Sequence, residues 1–210
     1  MSKLIKMALR TRLVNKGTGA GGANTNRSGL SFEKATNNYT RLLNIGFEKT
    51  IMNSSKNGYY LSKQFDDRKI NFFNKGGLKT YALQEFNVTL NREPDEAYIL
   101  EYEKHSVLKV LEKKNQNVEG SVDTKLYAGR CIRREYEKVF ENNVEVEYAF
   151  CLSDFFKERF ASNHKKYQIM KEIIEEDEIV IMYGKDDDYF KTLDKWIGMP
   201  CEKITTLTPH

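Results

Sequence analysis

Proline, cysteine and histidine are scarce in this chain of 210 residues, which contains 3 of each. The cysteines, Cys131, Cys151 and Cys201, have no C-x-x-C spacing. This excludes the usual zinc and redox motifs and favours reduced thiols. The histidines are scattered along the chain, so a His-based metal site is not expected.

Long apolar runs are also missing, and those present are too short to span a bilayer. Residues 1–17 interleave basic and apolar side chains without a clear cleavage site, which argues against a secretory signal. We therefore expect an intracellular, cytoplasmic protein with no membrane segment. The length and the hydrophobic fraction of 40% allow one ample core, so a single domain over residues 1–210 is expected.

Acidic residues are absent from the start of the chain, where none precedes Glu33. The basic residues of this segment are Lys3, Lys6, Arg10, Arg12, Lys16 and Arg27. The net charge of +4 is too small to indicate a nucleic-acid partner by itself, but a basic start could lie along a phosphate backbone. A solvated basic arm is the alternative.

Residues 15–29 are dense in Gly, Asn, Ser and Thr, which is typical of a loop. Residues 17–22 match the G-x-G-x-x-G pattern, but no convincing strand precedes them and no βαβ unit follows. A Walker Lys-Ser/Thr pair is also missing, so we expect no nucleotide cofactor.

The remaining pattern predicts a mixed α/β fold, with a central sheet flanked by helices. Helices are predicted at 30–43, from Ser121 through Tyr136, at 154–174 and at 187–197. Strands are predicted at 58–61, 79–90, 95–102, 107–116, 144–153 and 178–184.

The two strands predicted at 95–102 and 107–116 place acidic side chains at one end of a hairpin. Alternation puts Asp95 on one face of the first strand, together with Ala97 and Ile99. In the second strand it groups Glu112 with Leu108, Val110, Lys114 and Gln116. A reversal near residues 103–106 would bring Asp95 beside Glu112. Two such carboxylates form a hard oxygen site suited to Mg²⁺.

Pro94-Asp95 followed by Glu112-x-Lys114 resembles the signature of the PD-(D/E)XK nuclease superfamily. The flanking segments GTGAGGANTNRSGLSFEKAT (17–36), PDEAYI (94–99) and LEKKNQNVEGSVDTKL (111–126) are similar to short type II restriction endonucleases, including ones encoded by large algal (chlorella) viruses. The resemblance covers roughly residues 10 to 135, and it implies a restriction-endonuclease-like core.

The resemblance implies a role for each residue of this site. Asp95, Glu112 and the main-chain carbonyl of Lys113 would bind Mg²⁺, which polarises the scissile phosphate and activates water. Lys114 would orient that water or offset charge in the transition state. Glu33 would approach the metal, in some relatives through water, although an acid in the first turn of a helix also favours the helix dipole. Under the alternative, Glu112 and Lys114 are surface residues at a strand end, and Asp95 is a turn residue.

Gln116 follows Lys114 on the same strand face, where it would bond a phosphate oxygen or fix Lys114. The alternative is a polar residue at a strand terminus.

DNA contacts are predicted on two segments. Ser121 would begin a helix whose free N–H groups favour phosphate, and Lys125 would extend that surface. The remaining candidates are Asn24, Thr25, Asn26, Arg27, Arg130, Arg133 and Arg134. A solvated helix face is the alternative for the arginines, because Glu135 and Glu137 lie nearby.

The sequence therefore predicts a Mg²⁺-dependent type II restriction endonuclease that cuts double-stranded DNA at a short palindromic site, as in restriction-modification systems. A homodimer is expected, since a twofold enzyme matches a palindrome. The alternatives are a structure-specific nuclease, such as a junction resolvase or repair enzyme, and a non-catalytic DNA-binding protein of the same fold.

Overall fold

A sheet of seven strands forms the centre of the molecule in a computed structural model that describes residues 30–53, 58–116, 122–141 and 144–200. The strands are β1 (Glu48–Ile51), β2 (Tyr59–Gln64), β3 (Lys69–Asn74), β4 (Glu96–Glu101), β5 (Ser106–Lys114), β6 (Val144–Leu152) and β7 (Val180–Tyr183), and they lie in chain order. Strands β1 to β5 pair antiparallel, whereas β6 and β7 add in parallel.

Helices cover both faces of this sheet. They are α1 (30–35), α2 (Tyr39–Asn44), α3 (Gly77–Phe86), α4 (Val122–Tyr127), α5 (Gly129–Phe140), α6 (Asp154–Ala161), α7 (Lys165–Glu176) and α8 (Tyr189–Trp196). One core cluster joins the sheet to α3, α4, α5, α6 and α7, and a second joins it to α1, α2 and α8. The predicted mixed α/β class, with a sheet flanked by helices, is confirmed.

The hairpin of β4 and β5 has the predicted antiparallel pairing and alternation. Glu96 lies opposite Leu111, and the backbone N–H of Tyr102 donates a 2.9 Å hydrogen bond to the carbonyl of His105 at the turn. One face of the hairpin contributes Ala97, Ile99, Leu108 and Val110 to the first core cluster. The opposite face contributes Tyr98, Leu100, Val107 and Leu111 to the second. The strand order thus brings Asp95 and Glu112 to the same end and face.

The strand predicted at 79–90 is wrong, because most of this segment belongs to helix α3. The buried residues Leu78, Tyr81 and Ala82 recur at helical spacing, and this pattern outweighs the β-forming residues that follow. Asn87, at a left-handed φ of 54°, ends the helix. Strands β1 and β3 were not predicted.

Three predicted helices are each broken into two. Between α1 and α2, the side chain of Asn37 accepts a 2.8 Å hydrogen bond from the backbone N–H of Tyr39. Between α6 and α7, the Ser162 hydroxyl donates a 2.7 Å bond to the carbonyl of Arg159 and accepts a 3.3 Å bond from the His164 N–H. Such local bonds compete with the helical ladder. The helix predicted from Ser121 is likewise two helices, α4 and α5.

No helix within these described ranges is long and apolar enough to cross a membrane.

Candidate active site

Asp95 and Glu112 meet at the ammonium group of Lys114. The Nζ atom of Lys114 lies 2.5 Å from Oε2 of Glu112 and 3.8 Å from Oδ2 of Asp95. The exposed fractions of the three side chains are 15% for each acid and 20% for the lysine. The apolar first half of β5 is buried, and its last residues emerge beside the residue that precedes β4. The site therefore lies at the boundary between core and solvent.

The backbone of β5 fixes the orientation of Asp95. The N–H of Lys113 donates a 2.8 Å hydrogen bond to Oδ2 of Asp95. This bond joins the residue between Glu112 and Lys114 to the aspartate that directly precedes the neighbouring strand β4. Main-chain pairing thus places the Asp95 carboxylate, whereas the ammonium of Lys114 is held by its contacts with the two acidic side chains.

Lys75 is a second lysine of this site, and it connects Glu33 to the cluster. Its Nζ atom lies 2.8 Å from Oε2 of Glu33 and 3.3 Å from Oδ1 of Asp95. The two oxygens of Asp95 therefore face two different ammonium groups, Lys75 and Lys114. Three carboxylates and two lysines leave the cluster with a formal charge of 2 − 3 = −1.

An open cleft of about 240 Å³ borders the site on the side of Lys75. Its lining residues are Glu33, Asn37, Tyr59, Asn74, Lys75, Asp95 and Lys113. Solvent, and hence an external ligand, has access to the Asp95 carboxylate from this direction.

Burial and neighbouring charges shift two ionisation equilibria in the cluster. Burial raises the pKa of Glu112, the negative charge of Asp95 adds to the rise, and Lys114 opposes it. For Lys75, partial burial lowers the pKa, but the hydrogen bond to Glu33 and the charge of Asp95 raise it overall. The raised pKa keeps Lys75 in its cationic form. For Glu112, the positive charge of Lys114 offsets part of the free-energy cost of ionising a buried carboxyl group.

Two tyrosine hydroxyls lie near Glu112 on the side of α5 and β6. Burial raises the pKa of both Tyr136 and Tyr148, and the negative charge of Glu112 adds to the shift. Neither hydroxyl has a hydrogen-bond partner among the described residues. Both phenols therefore stay protonated in the neighbourhood of the carboxylate.

A buried polar network lies on the opposite face of the hairpin. The ammonium of Lys113 lies 2.6 Å from Oε1 of Glu96 and donates a 3.0 Å hydrogen bond to the carbonyl of Thr36. The N–H of Asn38 donates to the same Glu96 oxygen at 3.1 Å, and the hydroxyl of Tyr98 donates to the other at 3.0 Å. This network ties the turn after α1, which carries Glu33, to both strands of the hairpin.

Gln116 is buried, with an exposed fraction of 7%. Its backbone exchanges hydrogen bonds of 3.1 and 2.8 Å with the Ser153 hydroxyl. Both polar atoms of its side chain lack a hydrogen-bond partner among the residues that the structure describes, so no bond to Lys114 is formed there. Its predicted role, like that of the Lys113 carbonyl as a metal ligand, stays a prediction.

Among the residues that the structure describes, the predicted DNA-binding residues do not belong to the cluster of Asp95, Glu112 and Lys114. Asn24, Thr25, Asn26, Arg27 and Ser121 lie outside the described residues. Lys125 is exposed on α4.

The three arginines of α5 are all paired with acidic groups. Arg130 lies 3.4 Å from Asp177. Arg133 and Arg134 lie 3.0 and 3.4 Å from Glu137. Their contact with DNA stays a prediction, and these ion pairs already offset their charge.

Three residues near the site were not predicted from the sequence: Lys75, Tyr136 and Tyr148. The signal for Lys75 was present, because the residue follows the apolar run of β3 and precedes Gly76-Gly77, at the same end of the sheet as Asp95. Reading that run as a strand would have found it. Nothing in the local sequence marks the two tyrosines, which approach Glu112 only through tertiary packing.

The donor chemistry of the cluster fits a magnesium ion. Within the described ranges, no three His, Cys, Asp or Glu side chains converge closely enough to hold a metal by themselves. Mg²⁺ is often held by one or two carboxylates together with water and substrate phosphates. Asp95 and Glu112 can supply those carboxylates, with Glu33 behind Lys75 as a third acid.

The fold and site together define a mixed α/β protein with an acidic pair and a lysine at one end of a hairpin. No family model and no curated protein matches the chain.

Among solved structures, an XisH family protein from Nostoc punctiforme aligns with 72% of this chain and 88% of its own, at 12% identity and a TM-score of 0.32. An fdxN element excision controlling factor protein from Anabaena variabilis aligns with 75% of this chain and 89% of its own, also at 12% identity and a TM-score of 0.32. These values assign no family.

Proposed function

We propose that this chain is a Mg²⁺-dependent endonuclease that hydrolyses phosphodiester bonds of double-stranded DNA at a short site, in the manner of a type II restriction enzyme. One observation carries the proposal. The carboxylates of Asp95 and Glu112, contributed by two neighbouring strands, both approach the ammonium of Lys114 at a partly exposed end of the sheet. This arrangement combines metal-binding oxygens with a cation suited to phosphate chemistry.

The residues of the chain have distinct tasks in this reaction. Asp95 and Glu112 would bind Mg²⁺, which when bound supplies a Lewis acid that polarises the scissile phosphodiester. Lys114 would turn from Glu112 toward the substrate, where its charge stabilises the transition state or orients the attacking water. The hydrogen bond from the Lys113 N–H keeps Asp95 in place during this exchange.

DNA contact is proposed for a wider set of residues. We assign it to Asn24, Thr25, Asn26, Arg27, Ser121 and Lys125, with Gln116 beside the scissile phosphate. Arg130, Arg133 and Arg134 would contact phosphates only by leaving their acidic partners. A homodimer would present one site to each strand of a palindrome. Because phosphate contacts dominate affinity, binding should weaken as salt increases.

The direct test is digestion of a plasmid of known sequence by the full chain, with Mg²⁺ and with EDTA. We expect discrete fragments in Mg²⁺ only, with common sequences at their mapped ends. Glu112→Gln should remove cleavage while duplex binding persists, because the substitution keeps the shape of the side chain and removes its charge. Sedimentation of the protein with a cleaved palindromic duplex should show two chains per duplex.

Other outcomes would redirect the assignment. Preference for branched over linear duplexes would indicate a structure-specific nuclease. Binding without any cleavage, in Mg²⁺ or Mn²⁺, would indicate a non-catalytic DNA-binding protein. Normal cutting by Glu112→Gln would remove the catalytic role of this site even if the protein is a nuclease.

A further inference from the structure

The ammonium group of Lys75 lies between two carboxylates of the candidate site. It is 2.8 Å from Oε2 of Glu33 and 3.3 Å from Oδ1 of Asp95. A cation that bridged these acids would take a similar position, since hard cations are bound by carboxylate oxygens. Lys75 and a divalent ion at Glu33 and Asp95 would therefore be close like charges, which repel strongly in a partly buried site.

The side chain of Lys75 is more exposed than that of Lys113, the buried lysine next to the site. Its exposed fraction is 49%, and it lines the open cleft. Lys113, by contrast, has an exposed fraction of 2% and is held by the buried Glu96. Lys75 also follows β3 directly and precedes Gly76, which has a φ of 87°, so its backbone lies at a turn. Movement of Lys75 into the cleft needs no change in the core.

We propose that Lys75 is a built-in competitor of the metal ion: its ammonium neutralises Glu33 and Asp95, and a divalent cation binds to these carboxylates only when Lys75 moves away. The inference rests on the proposed function in taking Mg²⁺ as the cation and Asp95 as a ligand, and it concerns the Oδ1 side of Asp95, next to Glu33, whereas Glu112 and Lys114 lie on the Oδ2 side. Competition of this kind keeps metal affinity low in the free protein. A group that draws Lys75 into the cleft would raise that affinity.

The test measures metal binding by the full chain without DNA, using calorimetric titration with Mg²⁺ and, separately, Mn²⁺. Lys75→Met removes the charge and keeps the length of the side chain. Lys75→Arg keeps the charge. Lys79→Met is the matched control, because Lys79 lies in α3 close in sequence and pairs with Glu93 at 3.6 Å, away from Glu33 and Asp95. Thermal unfolding of each variant checks its fold, and Lys75→Gln replaces Lys75→Met if the latter does not fold.

We expect Lys75→Met to bind either metal at least about tenfold more tightly than the wild type, which corresponds to about 1.4 kcal/mol. Lys75→Arg and Lys79→Met should bind like the wild type. Equal or weaker binding by Lys75→Met would overturn the proposal, and so would an equal gain in Lys79→Met or an absence of metal binding in every variant. Nuclease activity is measured separately, so tighter metal binding without DNA cleavage would support the competition and remove only the proposed function.

Discussion

Glu96 and Lys113 form a buried ion pair directly behind the candidate site, with Oε1 and Nζ 2.6 Å apart. The exposed fractions of the two side chains are 0% and 2%. Each is the chain neighbour of a site residue, Glu96 of Asp95 and Lys113 of Glu112. Because side chains alternate along a strand, Glu96 and Lys113 point to the face of the hairpin opposite Asp95 and Glu112.

Removing one partner of this pair should be strongly destabilising. Lys113→Met leaves the Glu96 carboxylate buried without its counter-ion, and we expect a loss of about 3–5 kcal/mol in the free energy of unfolding. Urea denaturation measures it. Lys109→Met is the control: Lys109 is 9% exposed, but its partner Glu147 is 38% exposed, so the substitution leaves a solvated carboxylate and should cost less. An equal loss of unfolding free energy in Lys113→Met and Lys109→Met would show that burial of the acidic partner does not decide the cost.

Lys114→Met should reduce DNA cleavage by at least about a hundredfold, because it removes the cation that would meet the transition state. Duplex binding should change little, since one of many phosphate contacts is lost. Lys104→Met, at the exposed turn end of the same hairpin, should cleave normally. Single-turnover cleavage in Mg²⁺ measures the rate for each variant, and a duplex-binding titration measures the affinity. Unchanged cleavage by Lys114→Met would exclude this lysine from the chemistry.

The raised pKa of Glu112 predicts a pH-dependent cost to stability. The folded state binds this proton more tightly than the unfolded state, where the ordinary value is 4.5. Between that value and the raised one, stability falls as pH rises. Glu112→Gln has no such proton to lose. The free energy of unfolding of this variant minus that of the wild type should therefore be greatest at neutral pH. The difference should decline as pH falls below the raised pKa of Glu112. Chemical denaturation at a series of pH values measures this, and a difference constant with pH would contradict it.

Two fully buried tyrosines should respond differently to loss of the hydroxyl. Tyr98 donates to Glu96 at 3.0 Å and accepts from Asn38 at 3.1 Å, so Tyr98→Phe should cost about 1–3 kcal/mol. The hydroxyl of Tyr148 has no partner among the described residues, so Tyr148→Phe should be neutral or stabilising. Thermal unfolding of both variants compares them directly. A loss in Tyr148→Phe as large as that in Tyr98→Phe would reveal a partner for its hydroxyl.

Gly184 permits the end of β7 to approach α1 closely. An added Cβ atom would lie 2.5 Å from Cγ2 of Thr36 and 2.6 Å from Cζ of Phe32, closer than side chains can pack. We expect Gly184→Ala to lower the free energy of unfolding by about 1–3 kcal/mol. Asp187→Ala, in the exposed turn that follows, is the control and should stay within about 0.5 kcal/mol of the wild type. Denaturant titration measures both free energies of unfolding. Equal values for Gly184→Ala and Asp187→Ala would contradict the predicted clash.

The strand pair at the site was predictable because the turn and the alternating pattern that specify it lie within one short stretch of sequence. A short turn forces β4 and β5 into antiparallel pairing, and alternation then decides which face each side chain takes. Helix α3 was mispredicted because its buried residues are few and the β-forming residues after it suggest extension. The breaks before Tyr39 and His164 coincide with local hydrogen bonds of the Asn37 and Ser162 side chains, which a hydrophobic period does not reveal.

The sequence alone determined the mixed α/β class, the hairpin and the shared face of Asp95 and Glu112, because strand alternation and turn length act between residues near in the chain. Only the tertiary structure decided that Lys75 stands between Glu33 and Asp95, that the α5 arginines are paired with acids, and that Glu96 and Lys113 join behind the site. These contacts connect segments far apart in sequence, and their energies depend on burial and on distances of a few ångströms, which no local pattern encodes.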